Sequence, residues 1–249
     1  MNILAIDGGN SRIKWGCSDG QRWIAQSWLA SAQADKLGAA LAALPPPDRI
    51  VVSNVAGDAV RELIGTALEQ FAARPSWILS AASQCGVTSG YHDPAQLGSD
   101  RWAALIGAWH LFRGPCVVVN AGTTMTVDAL SNEGVFLGGF IVPGADLMRE
   151  SLARNTAQLE LQEGRFAFFP DSTADAIMSG AINALAGAVE RMLHYMEQTG
   201  QVAPLIVLSG GAAMLLEPQL NARVEVVDNL VLEGLLRIAL GSIPVSSEQ

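Results

Sequence analysis

One pattern occurs twice in this chain of 249 residues and limits its possible folds more than any other feature. An apolar run at residues 3–6 leads into the glycine turn of residues 7–11, after which Ile13 and Trp15 alternate as in a strand. The second copy, residues 117–128, has the same order of strand, glycine turn and strand. In P-loop and dinucleotide-binding sites the glycine turn opens a helix instead, so neither is expected here. The repetition predicts two related halves.

The remaining periodicity predicts an α/β protein with mixed sheets. Further strands are predicted at residues 50–53, 77–79, 136–142, 205–208 and 224–227. Helices are predicted at residues 34–44, 58–72, 100–112, 172–200 and 212–216. Residues 80–98 are rich in Ser, Gly and Pro and are expected to form a loop. A boundary near residues 112–115 would divide the chain into halves 1–113 and 114–249.

Composition narrows the class of function. The chain has 15 Lys and Arg against 24 Asp and Glu, a net charge of −9, and no basic run. Such a chain is not expected to bind nucleic acid or an anionic membrane. Its three scattered cysteines favour a reducing compartment, and neither a secretory signal nor a membrane span is recognisable. We therefore expect a cytoplasmic protein whose partners are small molecules or other proteins.

The first glycine turn, residues 7–14, is suited to phosphate. Gly8 and Gly9 let the backbone approach an anion, while Asn10 and Ser11 can donate hydrogen bonds to its oxygens. Asp7 at the end of a buried strand could hold Mg²⁺, and Lys14 could reach a terminal phosphate. One copy alone is explained slightly better as an ordinary hairpin with a Gly-Asn turn.

The second turn, residues 120–124, shifts that balance. Two such hairpins can face each other and clamp a polyphosphate, with Thr123 and Thr124 supplying hydroxyl and backbone donors. Its own alternative is a turn whose threonines only cap strands. A third glycine turn, residues 209–211, would suit the approach of a nucleoside, although such turns are common. Together the three turns are typical of a nucleotide site.

With these motifs in order, the chain resembles the superfamily of acetate and sugar kinases, Hsp70 and actin. Within it, the chain resembles the type III pantothenate kinases over nearly its full length. Five stretches carry the resemblance: Asp7–Lys14, Tyr91–Pro94 leading to Leu97–Trp102, Ala121–Thr123, Gly138–Gly144 and Ser172–Ile177. The most specific is Gly98-x-Asp100-Arg101-Trp102.

The resemblance implies two ribonuclease-H-like, actin-like ATPase domains with a nucleotide cleft between them. It also implies phosphorylation of pantothenate by Mg²⁺-ATP to 4′-phosphopantothenate, the entry step to coenzyme A, by direct in-line transfer. A homodimer whose partner subunit closes the pantothenate pocket, and a monovalent cation (K⁺ or NH₄⁺), are implied as well. The implied ATP-binding residues are Asp7, Gly8, Gly9, Asn10, Ser11, Arg12, Ile13, Lys14 and Thr123. The implied substrate-binding residues are Tyr91, Gly98, Ser99, Asp100, Arg101 and Thr173.

Asp100 matches the catalytic base of the family. A hydroxyl that attacks a γ-phosphate needs an acceptor for its proton, and a carboxylate fits that role. Asp100 also lies at the start of a predicted helix, where aspartate is common as a first-turn residue. From the residues alone the two interpretations are level, and the family match favours the base. Thr173 could likewise be only a helix-terminal hydroxyl, and Tyr91 a packed loop aromatic.

Position 120 departs from the family, which has aspartate there, associated with the monovalent cation. Asn120 keeps a carbonyl ligand but lacks the negative charge. We expect cation dependence to be weaker, or displaced towards Asp128. Two alternative functions remain open: another small-metabolite kinase or a phosphatase of the same fold, and a non-catalytic accessory protein.

Overall fold

The computed structural model describes residues 1–156 and 162–241, which form two compact units. The first unit contains Met1–Arg113 and the chain from Asn229 onward, and the second contains Gly114–Asp228. The first boundary lies where the sequence predicts one. The second boundary differs from the predicted half 114–249, because the last described helix belongs to the first unit. Residues 157–161 and 242–249 of that predicted half lie outside the described residues.

The first unit is built on a mixed sheet and a short hairpin. Its strands are β1 (Ile3–Gly8), β2 (Arg12–Ser18), β3 (Trp23–Ala30), β4 (Arg49–Asn54), β5 (Pro75–Trp77), β6 (Ser83–Gln84) and β7 (Val87–Ser89). Its α-helices are α1 (Leu37–Leu41), α2 (Asp58–Leu68), α3 (Ser99–Phe112) and, at the end of the described chain, α7 (Leu230–Gly241). 3₁₀ segments cover Ser31–Lys36, with a kink at Gln33, and Pro94–Gln96.

The main sheet of the first unit has the order β3-β2-β1-β4-β5. β1 pairs with β2 antiparallel and with β4 parallel, so β1 is central and all six of its residues are buried. One face of the sheet, including Ile6, Ile13 and Val52, forms an apolar core with α1 and α2. Helices α3 and α7 pack together and contact the sheet strands β4 and β1.

Close packing of α3 on α7 depends on two glycines. A Cβ atom on Gly107 would lie 2.7 Å from the Leu230 carbonyl oxygen. A Cβ atom on Gly234 would overlap the Ala103 carbonyl group. Because the two backbones approach so closely, α7 covers α3, and this contact explains why α7 belongs with the first unit.

The second unit repeats this plan. Its strands are β8 (Cys116–Ala121), β9 (Thr124–Leu130), β10 (Val135–Pro143), β11 (Leu205–Ser209) and β12 (Val224–Val226). Its helices are α4 (Ala145–Asn155), α5 (Thr173–Gln198) and α6 (Ala213–Leu216), and a 3₁₀ turn covers Glu217–Gln219.

The sheet order in the second unit is β12-β11-β8-β9-β10. β8, β9 and β10 are antiparallel to one another in turn. β11 pairs parallel with β8, and β12 pairs parallel with β11, as β4 and β5 do beside β1. Val117, Val119 and Val127 face α5 and form the apolar core with Leu185 and Val189. The shared strand order confirms the two related α/β halves that the repeated pattern predicts.

Several predicted elements differ in detail from the structure. Residues 34–44, predicted as one helix, contain part of a 3₁₀ turn and the short α1, while residues 80–98, predicted as a loop, include the β6–β7 hairpin. The strand predicted at residues 77–79 is β5, which ends at Trp77. β3 and α4 have no counterpart in the prediction. Among the described residues, no helix is long and apolar enough to span a membrane.

Candidate active site

The turn between β1 and β2 is fixed by hydrogen bonds to its carbonyl groups. The Gly9 N–H donates to the Arg12 carbonyl (3.0 Å). Ser31 donates through its N–H to the Ser11 carbonyl (3.0 Å) and through its hydroxyl to the Gly9 carbonyl (2.7 Å). These three carbonyl oxygens are therefore occupied by hydrogen bonds inside the first unit, so they are not directed at an anion bound to the turn. The Arg12 guanidinium lies over the Trp28 ring, 4.2 Å from its centre, which keeps a cation beside the turn.

Glycine is required at position 8 because β4 passes close to the turn. A Cβ atom there would lie 2.8 Å from Asn54 Oδ1 and 3.0 Å from Ile64 Cδ1. The Val55 N–H donates to the Gly8 carbonyl at 2.9 Å and closes this contact. The turn therefore has little freedom to move, which favours a preformed binding surface.

Strand register places Lys14, Asp7 and Ser53 side by side, a set that we call the polar row. Lys14 pairs with Asp7, and Asp7 pairs with Ser53 on its other side. Side chains at paired positions point to the same face of a sheet, here the face opposite to the α1 and α2 core. The row crosses the sheet where β1 ends at the glycine turn.

The Asp7 carboxyl is almost fully buried, and its environment disfavours the charged form. Burial, and then repulsion by Asp100, raise the pKa of Asp7 from 3.8 to about 7, while attraction by Lys14 lowers it. Among the described residues, Asp7 Oδ1 accepts no hydrogen bond although it is buried. A carboxylate oxygen in that condition fits a magnesium ion or its bound water.

Asp100 is the second residue of α3, which begins at Ser99 directly after Gly98. Its Oδ1 accepts a hydrogen bond from the Arg101 N–H at 2.8 Å. A Cβ atom on Gly98 would lie 2.6 Å from the same oxygen, so glycine leaves room for the carboxylate. Burial raises the pKa of Asp100, opposed by the hydrogen bond and charge of Arg101. The result is a half-buried carboxylate with strengthened basicity.

The residues that flank Asp100 are buried and bonded. The Ser99 and Ser53 hydroxyls are 2.9 Å apart, and both side chains are buried. Arg101 is buried as well, and its Nη1 donates to the Tyr91 hydroxyl at 3.5 Å. Tyr91 thus contacts the motif of residues 98–102 in space, although a 3₁₀ turn lies between them along the chain.

The turn between β8 and β9 has two further turns beside it in the second unit. The Ala212 N–H donates to the Ala121 carbonyl (3.1 Å), and the Gly144 N–H donates to the Thr123 carbonyl (2.9 Å). The Gly122 N–H closes the turn itself on the Thr124 carbonyl (3.1 Å). We call this group of three turns, at residues 121–124, 143–144 and 209–212, the glycine-turn cluster. Residues 122–124 are exposed at its surface.

Two glycines of this cluster, Gly210 and Gly144, let the backbones of its turns approach closely. A Cβ atom on Gly210, which has a φ of +101°, would lie 2.7 Å from the Ala121 N and closer still to the Ala121 carbonyl. A Cβ atom on Gly144 would lie 2.7 Å from the Thr123 carbonyl oxygen and overlap that of Gly122. Both glycines are visible in the sequence, but the close approach that requires them is a tertiary contact.

Asn120 and Asp128 lie on one face of the second sheet. Asn120 pairs with Thr126, and Val118 pairs with Asp128, so the two side chains are diagonal neighbours. Asn120 is half-buried and Asp128 is buried. An amide and a carboxylate are thus placed on the same face of the sheet, Asn120 near the end of β8 and Asp128 in β9.

Thr173 is the first residue of α5, and it lies beside a groove in the second unit. Ser172 caps the helix by accepting a hydrogen bond from the Asp175 N–H at 3.2 Å. The groove, of about 620 Å³, is lined by Pro143, Leu147, Met148, Ser151, Leu152, Thr173, Ala176, Ile177, Gly180 and Ala181. Because Pro143 precedes Gly144, the groove begins next to the glycine-turn cluster.

Solved structures share this architecture. A candidate 2-dehydro-3-deoxygalactonokinase from Sinorhizobium meliloti superposes with a TM-score of 0.57 at 16% identity, covering 97% of this chain and 100% of that one. The fold is therefore that of the actin-like ATPases and sugar kinases.

The family within that class follows from sequence comparison. The family model for type III pantothenate kinase matches residues 3–195. The type III pantothenate kinase from Nitrosospira multiformis is 52% identical, over 95% of this chain and 90% of that protein. That from Aromatoleum aromaticum is 51% identical, over 95% and 97% respectively. The chain belongs to the type III pantothenate kinase family.

Proposed function

We propose that this protein transfers the γ-phosphoryl group of ATP to the primary hydroxyl of pantothenate, forming ADP and 4′-phosphopantothenate. The observation that carries the proposal is Asp100, a half-buried carboxylate with a raised pKa, within the motif of residues 98–102. Family membership identifies the acceptor, and the burial of Asp100 supports its role as the group that accepts the hydroxyl proton. Since ATP is the donor, we place the reaction in the cytoplasm.

Asp100 acts as the general base in a direct in-line transfer. Its raised pKa makes it a stronger proton acceptor than an exposed aspartate, and its hydrogen bond from the Arg101 N–H orients the carboxylate. Tyr91, Gly98, Ser99, Arg101 and Thr173 are proposed to bind pantothenate. The buried Arg101, with Tyr91 bonded to it, supplies donors for the polar groups of that substrate.

Asp7 is proposed to hold magnesium with the ATP phosphates. Its buried oxygen lacks a described partner, and a cation would favour the charged form that burial disfavours. When bound, Mg²⁺ neutralises negative charge on the polyphosphate. Residues 8–14 of the first turn and Thr123 of the second are proposed to bind ATP through backbone and hydroxyl donors, with Lys14 as a point charge.

Two further proposals concern the oligomeric state and the monovalent cation. We propose that the enzyme is a homodimer. We also propose that its dependence on K⁺ or NH₄⁺ is weak or displaced towards Asp128, because Asn120 offers a carbonyl ligand without a charge.

The test measures ADP release by the purified protein with Mg²⁺-ATP, with and without pantothenate, in Na⁺, K⁺ and NH₄⁺ buffers. Release that depends on pantothenate is expected.

Asp100→Asn keeps the side-chain shape and removes the base, so its kcat should fall about 10²- to 10⁴-fold. Asp93→Asn is the matched control, since Asp93 is exposed and caps a 3₁₀ turn by accepting from the Ala95 N–H. Near-normal turnover of Asp100→Asn would refute the assignment of the base, and release independent of pantothenate would refute the substrate.

A further inference from the structure

Ser53 is a buried hydroxyl that none of the sequence motifs includes. It follows Ile50, Val51 and Val52 in β4 and is 0% exposed. A hydroxyl in such surroundings disfavours the folded state unless it finds a hydrogen-bond partner. Its partner is the Ser99 hydroxyl, at 2.9 Å.

This bond joins the sheet to the first residue of the helix that carries Asp100. Within the described chain, α3 has no side-chain N-cap hydrogen bond, since the residue before it is Gly98. The Ser80 hydroxyl donates to the Leu97 carbonyl at 2.7 Å and fixes the loop before that glycine. The Ser53–Ser99 bond fixes the chain after it.

The place of Ser53 in the sheet gives the bond a specific geometry. Ser53 pairs in register with Asp7, and Ser99 directly precedes Asp100. One pair of hydroxyls therefore connects the strand position beside the proposed magnesium ligand with the residue beside the proposed base. Repulsion by Asp100 is also one of the causes that raise the pKa of Asp7, after burial.

The geometry points to Ser53 as a positioning residue, which acts through Ser99 to fix Asp100 relative to Asp7 and the first glycine turn. The inference rests on the proposed function, because it assigns to Ser53 the alignment of the base proposed there. Small displacements of a reacting group reduce rates strongly, so loss of this bond should lower kcat.

Ser53→Ala removes the bond while leaving the first glycine turn intact. Its kcat should fall about 10- to 100-fold, with the KM for ATP nearly unchanged. Ser18→Ala is the matched control: Ser18 is also 0% exposed in the same sheet, and its hydroxyl donates to the Arg22 carbonyl at 2.9 Å. Ser18 pairs with Ile3, at the opposite end of β1 from Asp7, so this variant should keep its kcat.

A cycle with Asp100→Asn separates positioning from general damage. If Ser53 acts by placing the Asp100 carboxylate, Ser53→Ala should cause no further loss in the Asp100→Asn background. All variants are assayed at a temperature where circular dichroism shows them folded. Should Ser53→Ala fail to fold, Ser53→Cys, which has the same branching and a weaker hydrogen-bonding group, takes its place in the cycle.

Each outcome decides the inference. A loss in Ser53→Ala that Ser18→Ala does not share, and that disappears in the Asp100→Asn background, supports it. A kcat equal to that of Ser18→Ala, or an equal loss in both backgrounds, overturns it and leaves the proposed function intact. Normal turnover of Asp100→Asn itself would overturn the base, and with it the role of Ser53.

Discussion

A buried carboxylate at position 7 gives the folded chain a stability that depends on pH. The pKa of Asp7 is about 7 in the folded protein, above the 3.8 of an ordinary aspartate. The folded state therefore holds this proton more tightly than the unfolded chain does. Between about pH 4 and pH 7 the unfolded chain has already released the proton, so the free energy of unfolding falls as pH rises through that window.

Replacing Asp7 with asparagine should remove this pH dependence of stability, because asparagine does not titrate. In buffer with EDTA, Asp7→Asn should raise the free energy of unfolding at pH 8 by up to about 4 kcal/mol, and by much less at pH 5. Urea unfolding at the two pH values measures the difference, with Asp93→Asn as an exposed control. An equal change in stability at both pH values would contradict the buried-carboxylate account. The same variant should lose kinase activity, because it removes the proposed magnesium ligand.

The residue at position 120 should decide the response to potassium. Asn120→Asp adds the negative charge that the proposed cation site lacks, so K⁺ should activate ADP release more strongly and at lower concentration than in the parent. Asn120→Ala is the control that removes the carbonyl ligand as well. Steep, saturable activation of the parent by K⁺ that Asn120→Ala alone abolishes would show that the site is not weakened.

At the scale of elements, the sequence predicts what local patterns encode. β1 follows from its continuous apolar run and β2 from period-two alternation, and α5 follows from its cap at Ser172 and its three- and four-residue apolar steps. β3 was not predicted because its buried and exposed residues do not alternate regularly. α4 buries only Ala145 fully, so its apolar periodicity is weak.

The arrangement of the site depends on contacts that no local pattern encodes. The polar row requires the register of β1 with two neighbours, and alternation reveals a strand's faces but not its partners. Ser53 carries no signal in an otherwise apolar strand until its contact with Ser99 is known. Asp7, by contrast, could be proposed from the residue types of its own motif, and Asp100 from the family resemblance, since its residues alone left two interpretations level.

The glycine-turn cluster should not tolerate a methyl group where its backbones meet. Gly144→Ala should lower the free energy of unfolding by about 1–3 kcal/mol, because the Thr123 and Gly122 carbonyls must move away. Gly187→Ala is the matched control: a Cβ atom there has no described neighbour within 4 Å, and alanine favours a helix interior by about 0.5–1 kcal/mol. Thermal unfolding of both variants gives the comparison. Equal destabilisation would mean that the close approach is not maintained.

At the scale of the whole molecule, the first unit is discontinuous in sequence while the second is continuous. The first unit is complete only when the chain returns after Asp228 to add α7. Ten residues of α3, from Ser99 to Trp109, are buried, and α7 packs closely along that helix. Asp100 therefore lies on a helix whose packing depends on the far end of the chain.

A chain that ends at Asp228 should lose order in α3 but not in α5. Without α7 the apolar surface of α3 is exposed, and the energy that holds its first turn against the sheet is reduced. Hydrogen exchange followed by mass spectrometry should show faster exchange in residues 99–112 and unchanged exchange in residues 173–198, together with loss of ADP release. A synthetic peptide of residues 229–241 should restore protection of α3 as its concentration rises, because it binds the folded state. Equal loss of protection in both helices would instead mean that the two units unfold as one.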